Sequence, residues 1–226
     1  VRLAYISPSV LPSRSANSIH VTQQCDALAK AGAGVTLFAK REARYAGSLR
    51  SAVSATYGVD FDGVELRTVY TPFARANNIV IAVHGMLGVL FSRFDAVLSR
   101  NLFASFFLAV FSRLPLIIEV HQVEQGFRGR LQRIACRRPR VTVVTISERL
   151  REDMRVAIGT DRQVDIRVLH DAAPDAPGPI PEPEQERWRR DHLDYPTDEG
   201  RFICGYVGHL YPGRGIEIIE ELARDC

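Results

Sequence analysis

Short apolar runs alternate along the chain with longer segments whose apolar residues recur at helical spacing. Residues 2–6, 35–39, 64–70, 95–99, 116–120, 141–146 and 165–169 read as strands. Between the first two lies a helix ending at Lys30, capped by Asn17 or Ser18, with Ile19, Val21, Cys25, Leu28 and Ala29 turned inward. Residues 77–91 and 102–113 are apolar enough to be helices layered on a sheet, and His84 on the first reads as a core or half-buried side chain. Ser147 caps a helix over 148–158, whose acidic first turn complements the helix dipole. Residues 41–58 read as a loop with some helix. No internal repeat appears, and the βαβ order with short connections predicts an α/β, Rossmann-like, doubly wound and mostly parallel sheet.

The pattern changes after residue 172. The run APDAPGPIPEPE is a proline-rich extended linker, followed by a polar helix over 184–193 that carries Trp188. A strand at 202–207 then enters a turn with Gly208, His209, Gly213, Arg214 and Gly215, and a helix begins at Ile216. The organisation predicted is a domain over 1–180, a linker over 181–200 and the first βα unit of a second domain over 201–226.

Composition narrows the class. The 226 residues are 46% hydrophobic and 24% charged, as in globular proteins with a substantial core, and the net charge is only +3. Cys25, Cys136, Cys204 and Cys226 fit no zinc or CxxC spacing, so buried free thiols and a reducing, cytoplasmic compartment are expected. The apolar run 79–91 is interrupted by His84 and is too short to span a bilayer, and no signal peptide precedes Arg2. The first βα turn lacks GxGxxG, which argues against a dinucleotide-binding enzyme.

Three places carry candidate chemistry. The turn at 208–215 joins a strand to a helix N-terminus, where free amide N–H groups, flexible glycines and the Arg214 guanidinium suit an anion. Glu119 and His121 lie two residues apart at a strand end, so they share a side of the sheet where open α/β sheets bind ligands. Glu119 could orient the His121 ring or be its ion-pair partner. The run RGRLQRIACRRPR holds Arg128, Arg130, Arg133, Arg137, Arg138 and Arg140 without an acid. It suits an anionic membrane surface or a phosphorylated acceptor; without aromatic interleaving, nucleic acid is not expected. The plain alternative for the run is a solvated helix, and for Ser15, Ala16 and Asn17 in the first loop it is an N-cap.

The string GYVGHLYPGRGIEII resembles the opening of the nucleotide-sugar-binding domain of family 4 retaining glycosyltransferases, which have the GT-B fold. In that pattern an Arg and a Lys hold the donor diphosphate. Arg214 stands at the Lys position and His209 at the Arg position, a departure. The family's Glu-x7-Glu segment has no counterpart before Cys226. The resemblance implies a GT-B N-terminal domain plus the start of the C-terminal one. It implies metal-independent, retaining transfer of a sugar from a nucleotide diphosphate sugar to an acceptor hydroxyl, with no further cofactor. His121 would lie beside the reacting sugar, Gly208, His209, Gly213, Arg214 and Gly215 would hold the donor, and Ser15, Ala16, Asn17 and Glu119 would face the acceptor. That acceptor would be a sugar, a lipid-linked group or a small molecule, met at the inner face of a membrane. The alternatives are a non-catalytic binding module and a sugar-nucleotide epimerase of the same fold, for which Glu119 is the clear carboxylate candidate.

Overall fold

A computed structural model describes residues 1–41, 48–70, 77–159, 164–171, 178–192 and 215–225. The chain divides into two compact units, Val1–Ala172 and Ala173–Cys226. The first is built on β1 (Arg2–Val10), β2 (Gly34–Arg41), β3 (Val64–Tyr70), β4 (Ala96–Ser99), β5 (Leu116–Val120), β6 (Val141–Thr145) and β7 (Asp165–Val168). These pair in the order β3-β2-β1-β4-β5-β6-β7, and every neighbouring pair is parallel. The architecture is the Rossmann-like, doubly wound α/β fold that the strand and helix pattern predicts.

The connections are α1 (Ala16–Lys30), α2 (Leu49–Tyr57), α3 (Asn77–Phe91), α4 (Leu102–Phe111), α5 (Gly126–Cys136) and α6 (Glu148–Ile158). The chain winds outward from β1 to β3, then crosses back to β4 and winds outward the other way. Right-handed crossovers therefore place α1 and α2 on one face and α3 to α6 on the other. Strand alternation divides the core accordingly. Leu3, Tyr5 and Leu37 pack with Val21, Cys25 and Val53, whereas Ala4, Ile6 and Phe38 pack with Ile81, Leu108 and Met154.

Several boundaries differ from the sequence expectation. β1 continues past Ile6 to Val10, because the buried hydroxyls of Ser7 and Ser9 satisfy each other at 2.8 Å and make polar residues tolerable inside. The cap of α1 is Ser15 rather than Asn17 or Ser18: its side chain accepts from Ser18 N at 3.2 Å. Ser18 is buried and donates to Val10 O at 2.9 Å, while Ile19 points outward. Residues 49–57 form a regular helix, capped by Ser48 and stopped by Gly58 at φ +63, which a side chain would strain. The arginine-rich helix runs from Gly126 only to Cys136, so Arg137, Arg138 and Arg140 lie beyond its end.

In the second unit the described elements are α7 (Glu182–His192), which stacks Trp188 on His192 at 4.8 Å, and α8 (Ile216–Asp225).

Close approach of α3 to the sheet depends on its two glycines. A Cβ at Gly85 would lie 2.8 Å from Ile6 Cδ1, and one at Gly88 would overlap the Phe38 ring. His84 meets Phe38 edge-on at 5.6 Å, and burial pulls its pKa down, as a half-buried core histidine should behave. Gly88→Ala is expected to destabilise the chain by about 1–3 kcal/mol through overpacking, despite the better helix propensity of alanine. Chemical denaturation checks this; an unchanged or raised midpoint would show that α3 is not seated on Phe38.

Candidate functional site

In a doubly wound sheet, ligands bind beyond the C-terminal strand ends near the point where strand order reverses. Here that point lies between β1 and β4, and β5 is the next strand. Ile118 and Val120 of β5 are buried in the core on the α3–α6 side. Alternation turns Glu119, between them, toward α1. Its carboxylate is buried with a side-chain exposure of 4%.

Four side chains, from the ends of β5 and β4 and from α1, surround that carboxylate. His121, just beyond β5, brings Nε2 to 2.9 Å from Oε1. Arg100, just beyond β4, brings Nε to 3.4 Å from the same oxygen, an ion-pair distance without hydrogen-bond alignment. His20 of α1 brings Nε2 to 3.7 Å, and its Nδ1 lies 3.7 Å from Asp171 Oδ1 beyond β7. Gln24, one turn after His20, donates to Oε2 at 3.4 Å and accepts from the buried Tyr5 hydroxyl on β1.

The electrostatics follow from this crowding. Burial alone would push the Glu119 carboxyl up, but the hydrogen bond from His121, the nearby His20 ring and the Arg100 charge outweigh it and hold the carboxyl far below its usual range. Burial, then the Glu119 charge, pushes the Tyr5 phenol well up, so it stays a neutral donor. His121 Nε2 faces both Arg100 Nη2 and Glu119 Oε1. With a proton on Nε2 it donates to Glu119; without one it accepts from Arg100. Either tautomer keeps one partner.

A cavity of about 200 Å³ opens beside this cluster, lined by Arg100, Leu102, Ser105, Glu119, His121 and Gln132. It is smaller than the ~300–1,000 Å³ of a complete small-molecule site. The imidazole of His20 and the carboxylates of Glu119 and Asp171 offer ligand atoms within 4.8 Å of one another, a donor set that a divalent cation could use. The fixed Arg100 charge at 3.4 Å opposes a cation on Glu119 Oε1, so the grouping reads better as a hydrogen-bonded ion cluster.

The residues singled out in the sequence fall into three places. Glu119 and His121 come together as expected from their spacing. Ser15, Ala16 and Asn17 form the cap and first turn of α1, with Asn17 Nδ2 donating to Ser9 Oγ at 2.7 Å. Gly208, His209, Gly213 and Arg214 lie outside the described residues, and Gly215, at φ +77, immediately precedes α8. The arginine run is partly engaged: Arg128 pairs with Glu124 at 2.6 Å, Arg137 Nε donates to Ile158 O at 2.9 Å, and Arg140 donates to Ser112 O. Arg100, His20, Gln24 and Tyr5 were not anticipated. The strand-end rule that selects His121 after β5 also selects Arg100 after β4.

No protein-family model matches the chain, and no curated protein does. Among solved structures, the chain is similar to sucrose-phosphate synthase from Thermosynechococcus elongatus, with a TM-score of 0.54 and 12% identity over 75% of this chain and 47% of that one. The chain therefore spans about half the length of that neighbour. The likeness shows a shared Rossmann-like α/β fold over the matched part.

Glu119→Gln leaves Arg100 buried without its counter-ion and is expected to lower stability at pH 7 by about 3 kcal/mol or more. Because the folded-state pKa is depressed, the wild-type contribution is complete above the ordinary value of 4.5 and is lost as pH falls below it. The gap between the two proteins should therefore narrow in denaturation series taken below pH 4.5. Equal stability at pH 7, or a gap independent of pH, would contradict the ion cluster.

Proposed function

We propose that the chain is the acceptor-side half of a glycosyltransferase of the retaining, family 4 kind. It moves a sugar from a nucleotide diphosphate sugar to an acceptor hydroxyl. The observation that carries this reading is the Glu119–His121–Arg100 cluster beside a small cavity, at the switch-point edge of a sheet whose Rossmann-like fold is shared with the matched part of sucrose-phosphate synthase. His121 lies beside the transferred sugar and exchanges hydrogen bonds with it, while Glu119 and Arg100 position the ring. Arg214 and the turn around it hold the diphosphate, so cationic side chains and backbone N–H groups rather than a metal stabilise the leaving group. No further cofactor enters this reading.

The epimerase alternative needs a carboxylate facing the sugar. Glu119 is committed to His121, His20 and Arg100, which favours transfer. The departure at His209 favours the other alternative, a binding module without turnover.

A cavity smaller than a complete small-molecule site fits a chain that binds acceptor but cannot complete the donor site. A thermal-shift panel of hexoses, hexose phosphates and small polyols tests this. At least one compound at saturating concentration should raise Tm by several degrees, as binding worth about 3 kcal/mol would. His121→Ala should remove the shift. No sugar should be transferred from any nucleotide diphosphate sugar by the 226-residue chain alone. A panel without any shift, or transfer by this chain, would overturn the half-site reading.

A further inference from the structure

The face of the sheet covered by α3, α4 and α5 is chemically unlike the rest of the unit. Neither α3 (NNIVIAVHGMLGVLF) nor α4 (LFASFFLAVF) carries a charged residue, and α5 carries no acid. The inner side of α3 is buried through Ile81, Ala82 and Val89. Its opposite side exposes Ile79, Val83, Leu87 and Leu90 at helical spacing. On α4, Ala104, Ser105, Leu108 and Ala109 are buried. That leaves Phe107 and Val110 half-buried on the outward side, with Phe103 and Phe106 partly buried against the core. The two helices pack against each other, and α5 packs on α4 with Arg128 over the Phe103 ring at 5.9 Å. Neighbouring helices thus expose Ile79, Val83, Leu87 and Leu90 on α3 beside Phe111 on α4, the clustering of apolar side chains that marks an interaction site.

Its rim is cationic. Each helix runs antiparallel to the strands, so α3, α4 and α5 all end at the edge where β4, β5 and β6 begin. At that edge a tripeptide recurs: Phe91-Ser92-Arg93 closes α3 and Phe111-Ser112-Arg113 closes α4. Phe91 is 85% exposed and Phe111 71%, which makes them outliers for large apolar side chains. Arg93 and Arg113 are exposed, and among the described residues neither has an ion-pair partner. Arg138, exposed at the end of α5, extends the row. The nearest acid in sequence, Asp95, accepts a hydrogen bond from Arg2 N at 2.7 Å.

We infer that this face, led by Phe91-Ser92-Arg93 and Phe111-Ser112-Arg113, docks on an anionic lipid bilayer. Exposed phenylalanines reach the acyl boundary, and the neighbouring guanidinium groups meet lipid phosphates, the pairing by which interfacial elements bind anionic membranes. A second copy fits less well, because a two-fold contact would set one arginine-bearing rim against another. The apolar surface between the arginines likewise disfavours nucleic acid, which would need phosphate contacts there. The contact moves from the arginine run at 128–140 to the ends of α3 and α4, since Arg128, Arg137 and Arg140 are engaged within the fold. Docking at the start of the strands leaves the His121 edge facing away from the bilayer. This inference does not depend on the sugar-transfer reading: vesicle binding without sugar binding would leave it standing and remove the other.

Co-sedimentation of the chain with vesicles tests it, using phosphatidylglycerol mixed with phosphatidylcholine against phosphatidylcholine alone. The chain should pellet with the anionic vesicles only, and binding should weaken as salt rises from about 0.1 M to about 0.5 M. The double variants Phe91→Ser/Phe111→Ser and Arg93→Glu/Arg113→Glu should each weaken binding by about tenfold or more. Both act at exposed sites, so far-UV circular dichroism and melting should match the wild type and exclude misfolding as the cause. Absence of pelleting with anionic vesicles, equal pelleting with neutral ones, or variants that bind as tightly as wild type would overturn the inference. So would a dimer in sedimentation velocity that the phenylalanine variant abolishes.

Discussion

A carboxylate removed from water must be met by donors or charge, and the placement of Glu119 imposes this demand on the centre of the molecule. Its neighbours in β5 are core residues, so the strand cannot shift to expose it without drawing Ile118 and Val120 out of the α3–α6 side. The anion is therefore met where it stands. β4 brings Arg100, the chain after β5 brings His121, and α1 brings His20 and Gln24. Elements far apart in sequence are held in register by one buried charge. The same charge gives the His121 ring its partner and leaves the adjoining cavity polar on one wall.

Much of this arrangement was legible in the sequence. Strands of alternating or continuous apolar residues, separated by helical spacing, specify a parallel α/β sheet. The i, i+2 relation of Glu119 and His121 at a strand end shows that the two side chains share a side, where they meet at 2.9 Å. Less legible were the features that depend on packing. Ser7 and Ser9 masked the second half of β1, because their buried hydroxyls satisfy each other only once folded. Ser15 rather than Asn17 or Ser18 caps α1, since Ser18 is drawn inward to Val10 O. Arg100, His20 and Tyr5 meet Glu119 across a strand-order reversal that sequence spacing does not display. Arg100 follows β4 as His121 follows β5, a strand-end position of the same kind.

The two faces of the sheet differ in what they present. On the α1 side the core gives way near the strand ends to the ion cluster. On the α3–α6 side two charge-free helices seat closely on Ile6 and Phe38 through Gly85 and Gly88 and present apolar side chains outward as well. A helix apolar on every side is unusual at a water-facing surface. Among the described residues no helix is long and apolar enough to cross a membrane. Contact along a surface is what such helices can offer, with arginines at their ends. The proposed chemistry at one edge of the sheet and the proposed attachment at the other would thus be separable on one scaffold.

The central claim is that Glu119 is ionised inside the fold because Arg100 and the two histidines surround it. Carboxyl carbon NMR on glutamate-labelled protein, with the signal assigned by its loss in Glu119→Gln, reads that ionisation directly. The account predicts a Glu119 resonance that remains that of a carboxylate down to about pH 3, while exposed glutamates titrate near their usual value of about 4.3. A Glu119 signal that titrates with the exposed glutamates, or above them, would contradict it.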